Sequence, residues 1–89
     1  MITEKDKRTI ERIARKYHAS RVLLFGSSVN ENVDSQDIDI AVEGVADADF
    51  FAFYGELLCT LSKPVDIVDL SRKSKFVDVI LQEGVPFYV

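Results

Sequence analysis

FGSSVNENVDSQDIDIAVEG, residues 25–44, is the stretch on which both the fold and the chemistry of this chain turn. Its end, Asp37-Ile38-Asp39-Ile40-Ala41-Val42, alternates acidic and apolar residues. Along a strand, side chains point to opposite faces in turn. Ile38, Ile40 and Val42 then share one face, and Asp37, Asp39, Ala41 and Glu43 the other. Two carboxylates on one face repel each other, and a divalent cation between them removes the repulsion. At the start of the stretch, Gly26 ends the short apolar run Val22-Leu23-Leu24-Phe25, which reads as a buried strand. Ser27 and Ser28 can open a short helical turn whose free N–H groups favour an anion. Residues 30–36, NENVDSQ, are rich in turn formers and predict an exposed loop. A phosphate-gripping turn followed by a metal-gripping strand is the equipment needed to handle a nucleoside triphosphate.

Working outward, Ile10, Ile13, Ala14 and Tyr17 recur at helical spacing, so residues 4–18 predict an amphipathic helix. Thr3 and Asp6 resemble a capping arrangement, with Asp in place of the usual Glu or Gln. Arg15, Lys16 and His18 suit the negative pole of that helix. After the acidic strand, Gly44 is a stop, and Asp47 or Asp49 could cap a second helix. That helix carries a wide apolar surface of Phe50, Phe51, Phe53, Tyr54, Leu57, Leu58 and Leu61, and Cys59 reads as part of its core. Lys63-Pro64 punctuates, and VDIVDL gives a third strand. Ser71 is a candidate cap for a last helix with Phe76, Val77, Ile80 and Leu81, ended by Gly84. Pro86-Phe87-Tyr88-Val89 predicts a closing strand, with proline favouring a sheet edge.

A strand–helix–strand crossover makes the second and third strands parallel neighbours in one sheet. The crossover helix then covers the Ile38, Ile40 and Val42 face and leaves the acidic face open. In matching register, Asp66 would project beside Asp37 and Asp39, since neighbouring strands lie ~4.8 Å apart. Taken singly, Asp37 and Asp39 could be the wet side of a half-exposed strand, and Gly26-Ser27 an ordinary turn. Asp66 is harder to explain that way. It interrupts the apolar strand Val65-Asp66-Ile67-Val68, where a carboxylate needs a partner or a cation. Asp69 reads instead as a strand-end or turn residue.

With 89 residues, 47% of them apolar and 29% charged, the chain has the profile of one globular domain. No apolar run approaches the ~20 residues needed to span a bilayer, and MITEKDKRTIERIARKYH lacks the apolar segment of a secretory signal. A single cysteine cannot form an internal disulfide, which fits the cytoplasm. The first 21 residues hold seven Lys/Arg and three Asp/Glu, a net +4; the rest hold four and twelve, a net −8. An acidic body of this kind argues against direct nucleic-acid binding, and the basic first helix reads as a solvated face. Walker, EF-hand and Rossmann signatures are all missing, for want of GK[ST], of the one-three-five carboxylate spacing and of three glycines.

GSSVNENVDSQDIDIAV (26–42) followed by KPVDIVDL (63–70) resembles the GS…DxD…D pattern of the minimal nucleotidyltransferase (MNT) domain of the DNA polymerase β-like superfamily. The resemblance runs from the first helix to the closing ILQEGVPFYV. It implies a single domain over residues 1–89 and an α/β (α+β) two-layer nucleotidyltransferase fold. The expected order is α-β-(short α)-β-α-β-α-β, a mixed sheet with helices on one face and the acidic site on the other. It further implies that Gly26, Ser27 and Ser28 bind the triphosphate of a donor, most typically ATP. Asp37 and Asp39 would hold two Mg²⁺ ions (or Mn²⁺), and Asp66 would complete the catalytic carboxylate set. Two departures stand out: nine residues separate GS from DxD, one fewer than is common, and Ser28-Val29-Asn30 replaces a segment that often contains Arg.

The resemblance extends to a partner. Short members of this kind are often antitoxins of HEPN–MNT pairs, adenylylating a tyrosine of the HEPN toxin. With no second domain to bind the acceptor, another protein or a second copy of this chain must present it. The wide aromatic surface from Phe50 to Leu61 is suited to such contact. The rival expectation is a non-catalytic MNT-like binding protein that neutralises its partner by contact.

Overall fold

A computed structural model describes residues 2–26 and 37–88, the side chain of Phe87 apart. Ser27, Ser28, the short helical turn expected there and the 30–36 loop lie outside the described residues. The elements are α1 (Glu4–Lys16), β1 (Arg21–Leu24), β2 (Ile38–Glu43), α2 (Asp47–Thr60), β3 (Val65–Asp69), α3 (Lys75–Glu83) and β4 (Val85–Tyr88). The sheet order is β3-β2-β1-β4. β1 runs antiparallel to β2 and to β4, and β2 runs parallel to β3. The α+β order and the mixed sheet are those expected, and β4, with Pro86, sits at an edge.

α1 and α2 cover one face of the sheet. Ile10, Ile13 and Ala14 of α1 and Phe53 and Leu57 of α2 close on Val22, Leu24, Ile38, Ile40, Val42 and Val65. These side chains are drawn from alternate strand positions, as the two-residue period requires. The structure differs from the expected layering at α3. Its Val77 and Ile80 pack with Leu23, Ala41 and Leu70, on the opposite face. The reason lies in β1, where Leu23 is buried like its neighbours Val22 and Leu24. A strand apolar on both sides needs cover on both, so the acid-bearing face is open only beyond the patch that α3 covers.

Helix ends correct several local expectations. Thr3 caps α1, its Oγ1 accepting from the Asp6 N–H at 3.1 Å. The Asp6 carboxylate does not return the bond: it is buried, and accepts from the Ser62 N–H at 3.2 Å and from the Ser62 hydroxyl. α1 is thereby tied to the link between α2 and β3. His18 ends α1's last turn with φ of 62°, a left-handed conformation unusual for a side chain other than glycine or asparagine. α2 starts from Ala46 without a side-chain cap, and Asp47 and Asp49 lie in its first turn, favoured there by the helix dipole. Ser74, not Ser71, caps α3, its Oγ accepting from the Val77 N–H; Ser71 instead donates its N–H to Asp69 Oδ1 at 2.9 Å. Cys59, expected in the core, is exposed, because the buried stripe of α2 runs through Phe53 and Leu57 on the other side of the helix.

Replacing Asp6 by alanine is expected to cost about 1–3 kcal/mol, because it removes both hydrogen bonds that Ser62 donates to a charged acceptor. Asp6→Asn, which keeps one acceptor oxygen, should cost less. Urea denaturation of the two variants checks both the size and the order.

Candidate active site

Strand register brings Asp39 and Asp66 side by side at one end of the sheet, with Asp37 just ahead of them in the chain. β2 and β3 are parallel with Asp39 directly opposite Asp66, the register on which the sequence expectation depended. Asp37 lies one residue before β2, exposed, on the same side by strand period. Asp39 is partly buried and Asp66 exposed. Burial raises the Asp39 carboxyl above its ordinary range, and the neighbouring charges of Asp66 and then Asp37 push it further in the same direction. Asp39 therefore has two acidic neighbours and a dehydrated setting, both of which favour a proton or a cation.

The turn after β1 closes the other side. The Phe25 N–H donates to the Asp39 carbonyl at 3.1 Å, carrying the β1–β2 ladder one residue past the strand. Gly26 then takes φ of 61°. A Cβ built on it would stand 2.9 Å from Asp39 Oδ2. Glycine is required twice over: for the left-handed backbone, and to let the turn lie against the carboxylate. Gly26 and Asp39, from segments nine residues apart in sequence, thus lie so close that no side chain fits between them.

Hard carboxylate oxygens are the donor type that Mg²⁺ and Mn²⁺ take, so the chemistry of the donor set fits these ions. Among the described residues no three His, Cys, Asp or Glu side chains are closed around one point. Ser27 and Ser28, expected at the triphosphate, fall outside the described residues. Asp69 lies at the far end of β3, paired with Val42, where it accepts from the Ser71 N–H. It is the last residue of β3, in keeping with the strand-end or turn role its place in the sequence predicts.

The sequence pattern of the family described as "Polymerase beta, Nucleotidyltransferase" matches residues 8–89. The chain belongs to that family. No curated protein matches it. Similar solved structures include a toxin–antitoxin complex with AMP-PNP (24% identity, TM-score 0.73, covering 90% of this chain and 70% of that one). The toxin–antitoxin pair MntA-HepT is similar as well (23% identity, TM-score 0.69, 94% and 70% covered). So is a protein from Shewanella oneidensis (20% identity, TM-score 0.73, 97% and 71% covered). At these identities the likeness shows a shared fold.

Two cavities left no mark in the sequence. One is the cavity next to Gly26, lined by Phe25 and α3. The other is a second cavity at the opposite end of β3, lined by Asp47, Phe50, Phe51, Ile67, Asp69 and Arg72. Both depend on how helices seat on the sheet, which periodicity does not fix. Phe51 and Leu58 are exposed on α2, on the face turned away from the core. Among the described residues no helix is long and apolar enough to cross a membrane.

Proposed function

We propose that this chain is a metal-dependent nucleotidyltransferase that moves a nucleoside monophosphate, AMP from ATP, onto a hydroxyl acceptor. The acceptor is proposed to be a tyrosine of a HEPN-family toxin, which makes the chain the antitoxin of such a pair. The observation that carries the reading is the register of Asp39 against Asp66, with Gly26 packed on Asp39. Toxin–antitoxin complexes among the structures of the same fold support the choice of partner.

In the proposed reaction the acceptor oxygen bonds to the α-phosphorus in line, the bond to the bridging oxygen of pyrophosphate breaks, and the hydroxyl proton leaves the acceptor. Asp37 and Asp39 would hold two divalent cations, Mg²⁺ or Mn²⁺, with Asp66 completing the set. When bound, such ions supply charge stabilisation to the attacking and leaving oxygens. Asp66, exposed on β3, would serve the acceptor side and take or relay its proton. Gly26 lets the backbone approach the phosphates, and Ser27 and Ser28 would donate to them. The exposed Phe51 and Leu58 would form part of the partner contact.

The test is intact-mass spectrometry of a HEPN-type partner after incubation with the chain and Mg-ATP. The partner's mass should rise by one AMP unit; an unchanged mass would contradict the assignment. A purely binding antitoxin is the second reading, and the uncovered α2 face is the observation in its favour. Gly26→Ala offers a check on the geometry. The left-handed backbone costs about 1 kcal/mol or more, and the new methyl must displace the Asp39 carboxylate. An ångström of misplacement can cost roughly 10²-fold in rate, so transfer should fall by about that factor with the fold retained, as measured by initial rates and circular dichroism.

A further inference from the structure

We propose that the cavity beside Gly26 seats the nucleobase of the donor. This rests on the nucleotide-binding reading above and goes beyond it, since no residue has so far been assigned to the base. The cavity measures about 270 Å³ and is lined by Phe25, Gly26, Phe76, Val79, Ile80 and Glu83. It is smaller than the roughly 300–1,000 Å³ of sites that enclose a whole drug-sized ligand. One ring system fits such a space better than an entire nucleotide.

Its walls select which part of a nucleotide enters. Phe25 and Phe76 meet edge to face, ring centres 5.8 Å apart at 85°. Such a corner offers one aromatic face for stacking and a second ring to meet a base at its edge. Among the described residues, Glu83 is the one charged side chain in the lining. Its carboxylate would repel a phosphate, so the triphosphate is kept out of the cavity while the base is admitted. Gly26 belongs to both places: it lines the cavity and touches Asp39. A nucleotide with phosphates along the Gly26 turn thus has an apolar recess beside it and an acidic cluster on its other side.

The exposure pattern of α3 agrees. Val77 and Ile80 are buried against the sheet, whereas Phe76 is 56% exposed and Val79 48% exposed.

The experiment is calorimetric titration of the 89-residue chain, with Mg²⁺, by ATP and separately by inorganic tripolyphosphate. Loss of one aromatic stacking partner weakens base binding by about 5- to 150-fold. Phe76→Ala should weaken ATP by that factor and leave tripolyphosphate unchanged, and Phe76→Tyr should keep the ATP affinity. Wild-type ATP affinity in Phe76→Ala would overturn the assignment, as would an equal loss for tripolyphosphate. If wild type binds tripolyphosphate but Phe76 proves indifferent, only the base assignment fails. If wild type binds neither ligand, the nucleotide reading itself fails and the base assignment falls with it.

Discussion

Asp39→Asn should lower AMP transfer by about 10²-fold or more while the protein remains folded. Asp39 is the centre of the acidic cluster, flanked by Asp66 across the strand pair and touched by Gly26. Its amide replacement keeps shape but removes one anionic donor. Loss of ~3 kcal/mol of transition-state charge stabilisation corresponds to the stated factor. The fold should not suffer, because the change removes one of three mutually repelling charges from a partly dehydrated position. In chelator-containing buffer the variant's melting temperature should equal or exceed that of wild type. Initial rates beside thermal melts give both answers. The same variant separates transfer from neutralisation by contact: protection of cells from the toxin that survives Asp39→Asn means that contact alone suffices.

The largest effect on stability is expected at Phe53. Its side chain is fully buried, edge-on to Tyr17 of the α1 C-terminus at 5.8 Å and near Phe50 at 6.3 Å. Phe53→Ala leaves a cavity at the junction of α1, α2 and the sheet, a change that costs about 3–5 kcal/mol. A domain of 89 residues has a total stability of only about 4–13 kcal/mol at ~0.05–0.15 kcal/mol per residue. The variant should therefore lose about a quarter of its stability or more, seen as a large drop in the urea midpoint at constant slope. Phe51→Ala on the same helix should be close to neutral, because Phe51 is 88% exposed. Lys16 Nζ to Glu56 Oε1, at 2.7 Å, also joins α1 to α2, but an exposed pair of this kind contributes little.

Much of this was legible in the sequence, and the physical reasons differ from element to element. The alternation of Asp37 to Val42 identified β2 and its two faces, because strand period leaves a clear mark when one face is acidic. Asp66 stood out because a carboxylate in an apolar strand needs an explanation, and the register bears out its place opposite Asp39. The position of α3 departs from the one-sided layering that the sequence predicts. The unbroken run Val22-Leu23-Leu24-Phe25 already called for cover on both sides, yet nothing in the run says which helix supplies it. Caps were misplaced by a few residues at α2 and α3, where several Asp and Ser residues compete and only backbone geometry chooses between them. The local pattern places Asp6 in a cap, whereas its carboxylate accepts from Ser62, 56 positions along the chain. Contacts at that separation leave no local periodicity to read.

The most direct test of the central claim, that Asp37, Asp39 and Asp66 form a cation-dependent triphosphate site, is calorimetric titration of Mn²⁺ into the chain in the presence of a non-hydrolysable ATP analogue. Wild type should bind the ion, and Asp39→Asn and Asp66→Asn should each lose that binding while melting normally. No ion binding by wild type, or equal binding by both variants, would contradict it.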